Sequence, residues 1–156
     1  RPRDYNLQIA VSDKIGEQEM YYHHERSAIN TLDVKRSSKS ILKKNIKTTT
    51  LNNIIENSKF KNQQIDYVSI DVEGYELNVL KGFDLNKYQP KALSIEYIDT
   101  EMIKEEYYHQ NINNILNSDL YKYITNYGYH FVNWLHSDLI FVSKEVFTGK
   151  IYSTNV

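Results

Sequence analysis

The chain has 156 residues, a formal net charge of −1 at pH 7 and 40% hydrophobic residues, which suffices for one domain with a buried core. The near-neutral charge gives no reason to expect a nucleic-acid partner, and no apolar run approaches the about 20 residues that span a bilayer. The chain has no cysteine, which excludes disulfides and thiol chemistry and is typical of a cytoplasmic enzyme.

The first third of the chain is predicted to contain two strands, a long polar loop and a short helix. Apolar residues predict strands over residues 7–11 and 18–22. Residues 23–47 are polar and predict a long loop with one strand near residues 46–49, and residues 51–57 predict a helix. The lysines of the loop indicate a solvated segment, with recognition of a phosphate-bearing substrate as the alternative.

A strand followed by a sharp turn is predicted in the middle of the chain. Residues 67–70 are mostly β-branched or aromatic, which suits a buried strand, and Gly74 suits the turn after it. Asp71 and Glu73 lie between the two. Catalytic and ligand-binding groups gather at the carboxyl ends of strands in open α/β sheets, so both acids are candidate site residues. Each could instead cap a helix, bind a lysine or hold a divalent cation.

A helix is predicted over residues 75–81, directly after this turn. Glu76 lies in its first turn, where the helix dipole favours an anion, and Gly82 is predicted to cap its end. The apolar stripe that we expect to face the sheet consists of Leu77, Val79, Leu80 and Phe83.

The last third of the chain is predicted to contain a strand over residues 92–96, a helix over 112–125 and two strands over 129–134 and 139–142. Glu96 ends the first of these strands and would face the same cleft as the two acids of the turn, although a structural role is an equally good interpretation. The helix is expected to bury one face, made of Ile112, Ile115, Leu116, Leu120 and Tyr123.

The last two strands are close enough to form an antiparallel hairpin at a sheet edge. The order strand, helix, strand, helix, hairpin predicts an α/β protein with a mostly parallel sheet and one reversed strand.

These motifs, in this order, resemble those of the FkbM family of S-adenosylmethionine-dependent methyltransferases. The family's central pattern, I-D-V-E-G-x-E followed by L-K-G, is matched by residues 70–76 and 80–82. Weaker landmarks from about residue 7 to residue 142 also match, namely Ala10-Val11-Ser12-Asp13 with Gly16-Glu17, Thr50-Leu51, Ala92 to Glu96, Gly128-Tyr129 and Asp138 to Val142. The chain departs from the family at Asn52, where the family has aspartate.

The resemblance implies the C-terminal part of a class I methyltransferase with a Rossmann-like fold. It implies methyl transfer from S-adenosylmethionine, in most cases to a hydroxyl of a sugar, glycan or small metabolite. By position, Asp71, Glu73 and Glu96 would be the catalytic residues, and Ser12, Asp13 and Asp71 would bind the cofactor. We predict no metal, while cation binding by the carboxylates stays open.

The glycine-rich cofactor-binding loop of the family is missing from the sequence. On the resemblance, we expect residues 1–156 to be a single partial domain, with the first two strand–helix units preceding Arg1. We expect the first strand to lack a neighbour and the chain alone to bind little cofactor and to be inactive. The alternative is a complete small protein that has lost its cofactor site.

Two other functions remain open on the sequence. Asp71-Val72-Glu73 could be the metal-binding D-x-E of a glycosyltransferase-like enzyme, and the chain could be a non-catalytic α/β domain that packs against or binds a partner.

Overall fold

The computed structural model describes residues 4–22, 30–34, 42–97 and 111–147. The chain forms two compact units. The first unit comprises Arg1–Gln63 and Val72–Asp84, and the second comprises Gln64–Asp71 and Leu85–Val156. The polypeptide therefore leaves the second unit and re-enters the first between Asp71 and Val72.

The first unit contains a three-stranded sheet with the order β1–β3–β2. Its strands are β1 (Ala10–Val11), β2 (Gly16–Tyr22) and β3 (Leu42–Thr49). Strand β3 is parallel to β1 and antiparallel to β2. The prediction that the first strand lacks a neighbour is therefore wrong, because both residues of β1 pair with the end of β3.

The strand predicted near residues 46–49 is confirmed, whereas the polar loop predicted before it is wrong over residues 42–45, because β3 begins at Leu42 and includes residues 42–47. These residues are mostly exposed and four of the six are lysine or asparagine, so they lack the apolar alternation of a half-buried strand. Backbone pairing with β2 holds them, and it brings Lys43 Nζ to 2.8 Å from Glu19 Oε1. Residues 23–29 and 35–41 of the predicted loop lie outside the described residues.

The described part of the first unit also contains two helices, α1 (Leu51–Glu56) and α2 (Glu76–Lys81). Both predictions are confirmed to within one residue at each end. The hydroxyl of Thr50 caps α1 by accepting a hydrogen bond from the Asn53 N–H at 3.1 Å. The stripe predicted on α2 is largely buried, with Val79, Leu80 and Phe83 each at most 2% exposed.

Asn52, the residue at which the chain departs from the family pattern, holds the segment that follows α2. Its side-chain Oδ1 accepts a hydrogen bond from the Asp84 N–H at 2.8 Å, and its own N–H donates to the Gly82 carbonyl at 3.2 Å. An amide oxygen meets this need as well as a carboxylate does. Asparagine also avoids a second negative charge beside Asp84.

The second unit contains a four-stranded sheet with the order β4–β5–β7–β6. Its strands are β4 (Tyr67–Ile70), β5 (Ala92–Glu96), β6 (Tyr129–Leu135) and β7 (Asp138–Ser143). The pair β4–β5 is parallel, whereas β5–β7 and β6–β7 are antiparallel. The hairpin predicted at the sheet edge is confirmed, and β6 is its outer strand.

The prediction of a mostly parallel sheet is wrong for the described strands, because both sheets are mixed. In the second sheet β7 is antiparallel to both of its neighbours, and in the first sheet β2 is antiparallel to β3 as well. Only Ser12 to Ile15 separate β1 from β2, which is too short for the crossover that parallel strands of one sheet need. The coarser prediction of an α/β protein with several helices is confirmed.

Among its described residues, the second unit contains the helices α3 (Leu85–Tyr88), α4 (Ile112–Asn117) and α5 (Asp119–Asn126). The single helix predicted over residues 112–125 is interrupted at Ser118, whose ψ of 150° is extended. Its hydroxyl donates to the Ile115 carbonyl at 2.7 Å and accepts from the Tyr121 N–H at 3.1 Å. One serine thus ends α4 and begins α5.

The interruption changes which helical residues are buried. Ile115, Leu120 and Ile124 are buried, whereas Ile112 and Leu116 of the predicted apolar face are exposed. The core of this unit also contains the fully buried Leu93, Ile95, Leu139 and Phe141. No helix among the described residues is long and apolar enough to cross a membrane.

Tyr129 predicts how the stability of the second unit depends on alkaline pH. Its ring is 5% exposed, its hydroxyl donates to the Pro90 carbonyl at 2.8 Å, and burial raises its pKa to about 12 from the usual value near 10. The folded state then binds this proton more tightly than the unfolded chain does. The resulting stabilisation is complete below about pH 10 and is lost as the pH rises towards 12.

We therefore expect Tyr129→Phe to lower the free energy of unfolding by about 1 kcal/mol at neutral pH, and this difference from the wild type to shrink between pH 10 and 12. Urea unfolding at a series of pH values measures it. Tyr67→Phe, at a tyrosine 57% exposed, is the matched control and should show neither effect. A Tyr129→Phe difference that stays constant up to pH 12 would contradict the interpretation.

Candidate functional site

Two carboxylates lie close together at the carboxyl ends of adjacent strands in the second unit. Asp71 directly follows β4, and Glu96 is the last residue of β5. Ile70 pairs with Ile95 in the parallel register, which brings the next residue of each strand side by side. Carboxylate oxygens of Asp71 and Glu96 lie within 4.8 Å of each other. The structure thus places these two strand ends side by side, while the prediction that Asp71 and Glu96 face one cleft stays a prediction.

The pair combines an accessible acid with a sheltered one. Asp71 is exposed, whereas Glu96 is half-buried and its Oε2 is buried. Their negative charge can attract a cationic group, and either carboxylate can accept a hydrogen bond from a hydroxyl.

Asp138 is a third acid at the same end of the sheet, and it was not predicted to be a site residue. It begins β7 and is the register partner of Glu96. Only the hairpin register could have identified it, since Asp138 reads as an ordinary turn residue in the sequence.

The turn that follows Asp71 begins the second segment of the first unit and is held by hydrogen bonds within that unit. Glu73 and Gly74 both have positive φ angles, 55° and 95°. The glycine predicted for a sharp turn is thus confirmed, and Glu73 is in a conformation that non-glycine residues adopt rarely. The hydroxyl of Thr31 donates to the Glu73 carbonyl at 2.7 Å. The Glu73 side chain is half-buried.

Glu76 stabilises this turn from inside. It is 7% exposed, and its Oε1 accepts hydrogen bonds from the backbone N–H groups of Val72 at 3.1 Å and Gly74 at 2.9 Å. The sequence indicated only a favourable charge at a helix start. In the structure the buried Glu76 carboxylate accepts hydrogen bonds from two backbone N–H groups of the turn. This role explains why the motif has a second glutamate.

Ser12 and Asp13, the predicted cofactor-binding residues, follow β1 in the first unit. Ser12 is fully buried, and its N–H donates to the Thr49 carbonyl at 2.8 Å. Its hydroxyl accepts from Gln18 Nε2 at 2.8 Å and donates to Asp13 Oδ1 at 2.9 Å. Asp13 itself is exposed. Its carboxylate is thus available to solvent while one of its oxygens is held by a buried hydroxyl.

Gln18 also contacts the start of α2. Its Oε1 accepts a hydrogen bond from the hydroxyl of Tyr75 at 3.1 Å. No sequence pattern indicated a role for either residue. Tyr75 lies inside the central motif, but at the variable position of the pattern, and Gln18 is one of several polar residues of a strand.

The comparisons with known proteins agree with the motifs. The sequence profile of the family described as Methyltransferase FkbM domain matches residues 1–131, which is most of the chain. No curated protein and no solved structure matches it. Together with the carboxylates at the strand ends and the motif turn, this match shows that the chain belongs to the FkbM methyltransferase domain family.

Proposed function

We propose that the protein transfers a methyl group from S-adenosylmethionine to a hydroxyl of a sugar, glycan or small metabolite. The observation that carries the proposal is the Asp71–Glu96 pair at the carboxyl ends of parallel strands in a member of a methyltransferase family. Family membership suggests a Rossmann-like fold, and the parallel β4–β5 pair followed by an antiparallel hairpin agrees with that suggestion. The cysteine-free sequence suits our further proposal that the reaction takes place in the cytoplasm.

The chemistry of the residues fits a donor of this class. S-adenosylmethionine, when bound, supplies a methyl group on a positively charged sulfur. Asp71 and Glu96 offer negative charge that suits a cationic group. Asp13 is an exposed carboxylate that can accept hydrogen bonds from the hydroxyl or amino groups of a nucleoside. From the sequence motifs we propose Ser12, Asp13 and Asp71 as cofactor-binding residues, with Ser12 acting through Asp13 because it is fully buried.

We propose Asp71 as the general base that takes the proton from the acceptor hydroxyl. A hydroxyl is a poor nucleophile, and a positioned base accelerates such steps by about 100- to 10,000-fold. Asp71 is the exposed member of the pair, so an acceptor can reach it. Glu96 lies beside it, with carboxylate oxygens of the two residues within 4.8 Å of each other. Glu73, two residues along the chain, is the alternative base.

A second candidate function rests on the same pair. Carboxylate oxygens within 4.8 Å could share a divalent cation, as the metal-dependent glycosyltransferase interpretation of Asp71-Val72-Glu73 requires. The two functions differ in what the protein binds, since one needs S-adenosylmethionine and the other needs Mn²⁺ with a nucleotide sugar.

Titration calorimetry on the full-length gene product distinguishes the two. We expect S-adenosylhomocysteine, the product form of the donor, to bind with a Kd in the micromolar range, independently of added Mn²⁺. UDP-glucose with Mn²⁺ serves as the matched probe and should give no binding heat. Binding of UDP-glucose that requires Mn²⁺, with none of S-adenosylhomocysteine, would contradict the methyltransferase proposal.

A further inference from the structure

We propose that Gln18 and Tyr75 are positioning residues that orient the Asp13 carboxylate towards the nucleoside part of the donor, acting through Ser12. The inference rests on the proposed function, in which Asp13 contacts the donor. It adds two residues that neither the motifs nor the family match assign.

The four side chains form a hydrogen-bonded chain with one direction. The Tyr75 hydroxyl donates to Gln18 Oε1 at 3.1 Å, and Gln18 Nε2 donates to Ser12 Oγ at 2.8 Å. A serine hydroxyl has one proton, and Ser12 uses it to donate to Asp13 Oδ1 at 2.9 Å. Each group thus accepts from the one before and donates to the next. Asp13, which can only accept when ionised, is the natural end of the chain.

Solvent exposure determines which of the four hydrogen-bonded side chains can contact a ligand. Ser12 is 0% exposed, and Gln18 and Tyr75 are half-buried, whereas Asp13 is exposed. With its hydroxyl and N–H both used inside the protein, Ser12 has no free donor for a ligand. The exposed carboxylate at the end is therefore the group that meets the ligand, and the other three act through it.

Two members of the hydrogen-bonded chain, Gln18 and Tyr75, are anchored in regular structure. Gln18 lies in β2 opposite Ile46 of β3. Tyr75 is the N-cap residue of α2, and its carbonyl accepts from the N–H groups of Asn78 and Val79 at 3.1 Å each. Asp13 lies on a loop after the two-residue strand β1. Through Gln18 and Tyr75, its carboxylate is held by the sheet that contains β2 and by helix α2. Such support is what keeps a binding group in place before its ligand arrives.

The hydrogen-bonded chain also connects the central motif with the landmark Ala10-Val11-Ser12-Asp13 near the start of the sequence. Tyr75 directly follows Gly74 of the motif turn, and Asp13 ends the Ala10-Val11-Ser12-Asp13 landmark. A hydrogen-bonded chain whose members polarise one another transmits a change at one end to the other. Loss of the tyrosine hydroxyl should therefore weaken donor binding although Tyr75 does not contact the donor.

Gln18→Glu is the sharpest test, because it keeps the size of the side chain and reverses the direction of the chain. The new carboxylate still accepts from Tyr75 but cannot donate to Ser12, so the Ser12 proton turns away from Asp13. We expect the affinity for S-adenosylhomocysteine, measured by titration calorimetry on the full-length gene product, to fall about tenfold. Tyr75→Phe, at the far end, should lower it by about two- to threefold.

A double-mutant cycle separates positioning from a general loss of structure. In an Asp13→Ala background, Gln18→Glu should cause no further loss of affinity, because the group that it positions is gone. Glu17→Gln, at the exposed neighbouring position of β2, is the matched control and should bind as the wild type does. Thermal unfolding of each variant identifies any that fails to fold. If Gln18→Glu does not fold, the affinity of Tyr75→Phe is measured in both backgrounds in its place.

The outcomes are distinct for the two proposals. If the wild type binds S-adenosylhomocysteine and Gln18→Glu binds it equally well, or loses the same factor with and without Asp13, the positioning inference is wrong and the proposed function stands. If the wild type does not bind S-adenosylhomocysteine, the proposed function fails and the inference fails with it.

Discussion

Asp71→Asn is expected to lower the rate of methyl transfer by at least about 100-fold. Asparagine has the shape of aspartate and still offers an oxygen to a ligand, but it cannot take a proton from the acceptor hydroxyl at neutral pH. The affinity for S-adenosylhomocysteine should fall much less than the rate. Initial rates can be measured as transfer of labelled methyl groups from S-adenosylmethionine into an extract of cells that lack the gene, where the acceptor remains unmethylated.

Asp66→Asn is the matched control for this prediction. Asp66 immediately precedes β4, at the opposite end of the strand from Asp71, and forms an exposed ion pair with Lys91 at 2.6 Å. Such surface pairs contribute about 0–1 kcal/mol, so the control should keep the wild-type rate. An Asp71→Asn variant as active as the wild type would contradict the role of general base and would favour a non-catalytic domain.

Gly82→Ala is expected to lower the free energy of unfolding by about 1–3 kcal/mol. Gly82 has a φ of −86°, which any residue adopts, so conformational entropy alone would make alanine stabilising by about 0.4–1 kcal/mol. Packing determines whether the substitution stabilises or destabilises the protein. A Cβ at Gly82 would overlap the Ser12 carbonyl oxygen and lie 3.2 Å from Thr50 Cβ. The overlap is with backbone, which cannot move aside as a flexible side chain can.

Urea unfolding followed by circular dichroism measures the effect of Gly82→Ala. Lys81→Ala changes the exposed neighbouring residue of the same helix and should alter the free energy of unfolding by less than about 1 kcal/mol. If Gly82→Ala proves as stable as the wild type or more so, the close approach of Gly82 to Ser12 is not present in the protein.

The parts of the fold that the sequence predicted are those where one local signal dominates. Strands β4 and β5 have the bounds predicted for them, because each is a short apolar run that ends at a charged residue. Parallel neighbours share an edge, so the proximity of Asp71 and Glu96 could also be predicted from their positions at strand ends. The turn was identified by Gly74, whose positive φ of 95° is the conformation that favours glycine.

Other features depend on tertiary pairing and have no local signal. Strand β3 is polar over residues 43–45 and forms because its backbone pairs with β2. Ser118 could be read equally well as a residue inside a helix or as a cap, and only the packing of α4 and α5 decides. The hydrogen bond between Tyr75 and Gln18 joins residues 57 positions apart. No pattern in a single sequence indicates such a contact.

The most direct measurement for the account is mass spectrometry of the product formed from S-adenosylmethionine with a deuterated methyl group. The full-length gene product is incubated with this donor and the extract of cells that lack the gene. We predict an acceptor whose mass increases by one deuterated methyl group, attached through an ether oxygen, and no such product with Asp71→Asn. Consumption of a nucleotide sugar in the presence of Mn²⁺, with no transfer of the methyl label, would contradict the account.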